Sequence, residues 1–215
     1  MSDTVKTLAA IENSKLIAIS RGLYGDELLK ASLALYEGGV RAFEAAFVQS
    51  LPNEVTAECI RLLIKGLPAD AAVGAGTVMD TAQVDAAERA GAAFVISPNT
   101  DASVIARTKS LGMVSVPGAL TPTEIAAAFS FGADIVKVFP AGTMGIEYFK
   151  QIKAPLSHIP LAAVGGLNFE NVRGFYEAGA VAFGISGSLY NKDCIRRGEY
   201  AELTSAARRY YEILS

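Results

Sequence analysis

The chain has 215 residues, 51% of them apolar, and 19 basic side chains stand against 22 acidic ones for a net charge of −3. A length near 200 residues fits one domain, the apolar fraction excludes a disordered chain, and the negative balance argues against general nucleic-acid binding. No apolar run reaches the roughly 18–20 residues that span a bilayer, and the opening MSDTVKTLAAIENSK lacks the apolar core of a secretory signal. Cys59 and Cys194 form no CxxC pair and are too few for a disulfide framework. With His158 as its one histidine, a single chain excludes any site that needs two imidazoles. The expectation is a soluble, cytoplasmic, single-domain protein spanning residues 1–215, with neither nucleic acid nor membrane as a partner.

Taken in order, the chain opens on a helical stretch, Thr4–Glu12, and then repeats one pattern. A short β-branched and apolar run is followed by a Gly, Pro, Thr or Asn turn and then by a longer amphipathic segment. The short runs are Leu16–Ser20, Ala42–Phe47, Ala71–Gly74, Ala93–Ser97, Met113–Val116, Ile135–Phe139, Leu161–Val164 and Val181–Ile185. Helical patterns lie between them, as at Asp26–Glu37, Glu54–Lys65, Thr81–Ala90, Ala102–Ser110 and Thr123–Phe131. Thr121-Pro122-Thr123-Glu124 reads as a capping box with proline at the first helical position. Glycines 38, 66, 91, 112, 132 and 179 follow helices, where a left-handed residue is expected. A last amphipathic helix runs from Tyr200 to Leu214, with Arg208 and Arg209 on a solvated face.

The short runs are almost continuously apolar, the mark of strands buried on both faces. Strand and helix alternate with short connections, which requires parallel strands joined by right-handed crossovers. Eight such units in about 200 residues fit a small (β/α)₈ barrel better than an open sheet, with the N-terminal helix covering its bottom.

Active groups of such a barrel lie at the C-terminal ends of its strands. Three polar residues stand where an apolar strand would not choose them: Lys137 in IVKVF, Glu44 in AFEAAF, and Arg21 just after LIAIS. Lysine is almost never fully buried without a partner. A snorkelling or salt-bridged lysine is the plain reading. The functional one is an amine whose pKa falls on desolvation, leaving it neutral and able to attack a carbonyl. Glu44 is read either as a charge partner of that lysine or as a general acid/base beside it, and the two are expected to be neighbours. Gly165-Gly166 and Gly187-Ser188 follow the last two runs, ahead of helical segments, where barrels of this kind bind phosphate with loop amides and helix N-termini. Gly74-Ala75-Gly76-Thr77 begins like a dinucleotide fingerprint but lacks its third glycine and its ribose-binding acid. It is read as a close-approach turn that leaves Thr77 free to hydrogen-bond a substrate. His158 sits at the opposite end of the barrel, and Cys59 reads as a small buried hydrophobe.

The ordered segments ISRG, FEAAF, VGAGTV, ISPN, VPGALTPTE, VKVFPA, VGGLN and GSLY, spread from about Leu16 to Tyr190, resemble those of the 2-keto-3-deoxy-6-phosphogluconate aldolases. That family includes 4-hydroxy-2-oxoglutarate aldolases and a 6-phosphogalactonate branch. The resemblance implies a metal-free, cofactor-free class I aldolase on a (β/α)₈ barrel, commonly a homotrimer, which acts on a small keto acid or phosphosugar acid and releases pyruvate. It also implies Lys137 as the imine former, Glu44 as the proton shuttle, and Arg21 and Thr77 as substrate ligands, with Thr77 on the carboxylate. Pro98 of the Ser97-Pro98 pair and Phe139 would line the site, with Gly165, Gly166, Gly187 and Ser188 at the phosphate end.

Two departures stand out. Phosphogluconate enzymes carry threonine and arginine shortly after the glutamate, where this chain has Ala46 and Val48, and their Thr-Gly-Gly is here Val164-Gly165-Gly166. The phosphogalactonate branch is similar at that valine, in Pro98-Asn99 and in Leu189-Tyr190, and it too lacks the arginine. Among rival readings, a pentose-phosphate epimerase needs a histidine pair that this chain does not have. A non-catalytic phosphosugar- or keto-acid-binding barrel would explain the lost arginine but not the retention of Lys137, Glu44 and Thr77.

Overall fold

The computed structural model describes residues 3–215. All strand pairings among them are parallel, in the order β5-β4-β3-β2-β1-β9-β8-β7-β6. The strands are β1 Leu16–Ser20, β2 Ala42–Ala46, β3 Ala72–Gly76, β4 Phe94–Ile96, β5 Val114–Val116, β6 Gly118–Ala119, β7 Val136–Val138, β8 Leu161–Val164 and β9 Ala182–Ile185. Helices pack around them, among them α1 Asp3–Ser14, α2 Gly25–Glu37, α3 Asn53–Gly66, α4 Thr81–Arg89, α5 Ala102–Ser110 and α6 Pro122–Ser130. This is the expected (β/α)₈ barrel with an additional N-terminal helix.

Nine strands replace the expected eight because the fifth run ends as β5 at Pro117, which has no N–H to give a ladder, and Gly118–Ala119, outside every expected run, forms β6. The two pieces face different neighbours, β5 pairing with β4 and β6 with β7. The Lys137 N–H donates to the Pro117 carbonyl at 2.9 Å, and the Asp134 N–H donates to that of Ser115 at 3.0 Å. β5 and β6 together thereby close the ring.

Side-chain alternation sorts the strand residues into two cores. Leu16, Ala18, Phe43, Val73, Val136, Val138 and Phe183 face outward against the helices. Ile17, Ile19, Ala42, Ala72, Phe94, Ile96, Val114, Val116 and Ile135 fill the barrel itself, together with Ile11 of α1, which plugs its bottom. Glu44 and Lys137 share the parity of Ala42 and Ile135, so both point into the barrel, above this apolar floor.

Gly74 and Gly76 lie in β3 rather than in the expected turn. A Cβ on Gly74 would come within 2.3 Å of the Phe94 ring, and one on Gly76 would fall on the Glu44 carboxyl. The glycines therefore supply room inside the barrel, one for the floor and one for the acid above it. Thr121 and Glu124 form the expected capping box of α6, a device worth about 1 kcal/mol. Four of the six helix-ending glycines have the expected positive φ. Gly38 does not, and Gly66 is the last residue of α3; their missing side chains admit Ala207 and Leu29, so these two serve packing. His158 is exposed below the barrel, edge-on to Phe129, and Cys59 is buried. Among the described residues, no helix is long and apolar enough to cross a membrane.

Candidate active site

A cavity of about 550 Å³ opens at the C-terminal mouth of the barrel. Its lining includes all ten residues singled out above: Arg21, Glu44, Thr77, Pro98, Lys137, Phe139, Gly165, Gly166, Gly187 and Ser188. Residues from β1, β2, β3, β4, β7, β8 and β9, or from the loops that follow them, thus meet at one place although they are spread over 168 positions of sequence.

Lys137 sits between Gly118 of β6 and Ala162 of β8 in register, two small neighbours that leave space for its stem. It is 6% exposed, and its Nζ lies 4.7 Å from the centre of the Phe139 ring. Burial pushes its pKa below the ordinary lysine range; the Glu44 charge pulls it back up and Arg21 presses it further down. Glu44 is 1% exposed. Burial raises its carboxyl pKa, against the pull of Lys137 and Arg21. Desolvation leads for both groups, so each is moved toward its neutral form.

The expected closeness of the two takes a looser form than pairing. They share the cavity and feel one another's charge, yet they make no direct salt bridge, and Glu44 Oε2 has no hydrogen-bond partner among the described residues. A closed pair would have occupied both groups. This arrangement leaves the amine and the buried carboxyl unpaired, both in the lining of one cavity.

Thr77 has φ +56°, an uncommon conformation for a β-branched residue and one that costs on the order of 1–3 kcal/mol. Its Oγ1 accepts a hydrogen bond from Arg21 Nη2 at 2.9 Å. Arg21 therefore stands at the Thr77 side of the mouth. It also lines a smaller recess of about 240 Å³ with Ser186, Gly187, Tyr190 and Lys192. Lys192, which sequence reasoning missed, forms no ion pair among the described residues and adds a second cation there. Its signal was only that it follows GSLYN at the end of the last strand.

The glycine turns are built differently from expectation. Five residues separate Gly166 from the helix Val172–Glu177, and three separate Ser188 from the helix Lys192–Arg197, each only six residues long. Helix N-termini are therefore not what faces the cavity; loop amides are. The N–H groups of Gly166, Gly187 and Ser188 have no acceptor among the described residues. Gly165 and Gly166 both have positive φ, and a Cβ at 165 would strike Phe139. Ser188 Oγ shares a 2.7 Å hydrogen bond with Tyr210 on the final helix, whose ring stacks on Phe169.

A parallel (β/α)₈ barrel with its polar cavity at the C-terminal mouth has the organisation of a barrel enzyme. The model of the KDPG and KHG aldolase family matches residues 8–206. The 2-dehydro-3-deoxy-6-phosphogalactonate aldolase of Escherichia coli K12 is 36% identical over 191 residues, 88% of this chain and 89% of that protein. The 2-dehydro-3-deoxy-phosphogluconate aldolase of Treponema pallidum is 30% identical over 95% of this chain and 96% of its own length. A solved structure described as native KDPGal superposes with a TM-score of 0.80 at 34% identity, covering 93% of this chain and 95% of the other. The chain belongs to the KDPG and KHG aldolase family and is an aldolase, a lyase that breaks a carbon–carbon bond.

Proposed function

We propose that this protein cleaves a 2-keto-3-deoxy-6-phospho sugar acid to pyruvate and a phosphorylated aldehyde through a Schiff base on Lys137. One observation carries the reading: a desolvated amine and a buried carboxyl that no direct salt bridge ties to it line the same cavity at the barrel mouth. The neutral amine adds to the C2 ketone and water leaves, giving a protonated imine. Glu44 takes the proton of the C4 hydroxyl as the C3–C4 bond breaks, and the electron pair passes into the imine to form an enamine. The aldehyde departs, a proton returns to C3, and hydrolysis of the imine frees pyruvate and the amine.

Arg21 and Thr77, joined by their hydrogen bond, take the keto-acid carboxylate. Arg21 thus supplies the cation that phosphogluconate enzymes place where this chain has Val48. The free amides of Gly166, Gly187 and Ser188, with the Lys192 ammonium, take the distal phosphate. Ala46, Val48 and Val164, together with the phosphogalactonate relative described above, favour the galacto epimer at C4. The working form is a cytoplasmic homotrimer, in keeping with the family's pattern.

The test of substrate class is kcat/KM for the two C4-epimeric 6-phosphates and for their unphosphorylated analogue, in wild type and in Ser188→Asp. The phosphorylated galacto compound is the preferred substrate. A carboxylate at 188 removes most of the preference for phosphate, about 10- to 100-fold, because hydrogen bonds to charged groups contribute roughly 1.5–3 kcal/mol. Equal rates with and without phosphate would retire this reading in favour of a short acid such as 4-hydroxy-2-oxoglutarate.

A further inference from the structure

Thr77 needs support to keep its left-handed backbone, and a chain of amide hydrogen bonds behind it provides that support. Gln83, on the first turn of α4, is 4% exposed. Its Oε1 accepts from the Met79 N–H at 2.7 Å, and its Nε2 donates to Gln49 Oε1 at 2.8 Å. Gln49 Nε2 then donates to the Thr77 carbonyl at 2.8 Å. Both ends of this chain are fixed in polarity, since a backbone N–H only donates and a backbone carbonyl only accepts. Flipping either amide would set donor against donor or acceptor against acceptor, so the four groups admit one arrangement. Asp80, the cap of α4, fixes its origin by accepting from the Gln83 N–H at 2.8 Å.

We propose that Gln49 and Gln83 are positioning residues for substrate binding. They hold the Thr77 carbonyl away from the cavity, so that the φ +56° backbone persists and the Thr77 hydroxyl stays against Arg21. The inference rests on the reading of Thr77 and Arg21 as the carboxylate site. Neither glutamine touches the reacting atoms. They act on the affinity for the keto acid and not on the chemistry that follows.

The test uses pyruvate itself as the probe. The pyruvate concentration for half-maximal inactivation by borohydride, and the limiting inactivation rate, are measured for wild type, Gln49→Met, Thr77→Val and the double variant. Gln49 is exposed, so its replacement leaves the fold intact. Gln49→Met raises the half-maximal concentration about 5- to 30-fold, the loss of one to two ordinary hydrogen bonds, with the limiting rate within about threefold of wild type. The double variant matches Thr77→Val alone, because Gln49 acts through Thr77. Gln49→Glu, which sets a carboxylate against the Thr77 carbonyl, is at least as weak as Gln49→Met. An unchanged affinity in Gln49→Met beside a weakened Thr77→Val overturns the relay and leaves the carboxylate site standing. Additive effects in the double variant overturn it as well. An unchanged Thr77→Val overturns the carboxylate reading instead, and the relay with it.

Discussion

Lys137→Met lowers kcat/KM for aldol cleavage by at least about 10⁴-fold, toward the uncatalysed rate, because among the described residues no other amine lines the cavity. The same change leaves the melting temperature unchanged or raises it. Two effects compete here. Removing one partner of a buried ion pair usually destabilises, because the other charge is left behind. In this barrel the two groups make no direct salt bridge, and burial already drives the Glu44 carboxyl toward its protonated form. Losing Lys137 lets Glu44 take up its proton, while methionine fills the stem's place at no desolvation cost. Relief of charge burial wins. Calorimetry and a cleavage assay on one preparation check both halves, and an active variant or a melting temperature several degrees lower would mark Lys137 as a structural lysine.

Glu44→Gln slows turnover by about 10²–10⁴-fold with the fold intact, the range typical of a general acid/base. It also moves a pH profile in a direction that a merely structural glutamate would not. Imine formation needs the neutral amine, so its rate rises with pH through the pKa of Lys137. The Glu44 charge holds that pKa up, although burial keeps it below the ordinary value. With glutamine in place the pull is gone, and the rising limb shifts to lower pH. Stopped-time trapping across the pH range reads the shift. An unmoved or upward-moving limb, or near-normal turnover, would assign Glu44 a packing role.

The barrel was readable in the sequence because each unit carries its own punctuation. The apolar runs, the glycines that follow the helices and the capping box at Thr121 act locally and agree with one another. The split at Pro117 was less visible, since a proline between two strand-like pieces also marks a strand's end. Lys137 and Glu44 stood out for a physical reason, as charges in runs that otherwise bury everything. Their lack of a direct bond was not readable, because it depends on the diameter of the closed barrel and on small neighbours such as Gly118 and Ala162. Gly74 and Gly76 read as a turn because local pattern cannot show a ring from β4 or a carboxyl from β2 filling the space of a missing side chain. Gln49 and Gln83 gave no signal at all: two glutamines 34 positions apart acquire meaning only when the backbone brings them to the Thr77 carbonyl.

The covalent step is the centre of the account, and borohydride reduction of the enzyme in the presence of pyruvate tests it most directly. Reduction fixes the imine as a stable secondary amine, and peptide mass mapping locates it. The account predicts one pyruvyl adduct per chain, on Lys137, with activity lost in proportion to its formation. An adduct on another lysine, or full activity surviving reduction with no adduct formed, would contradict it.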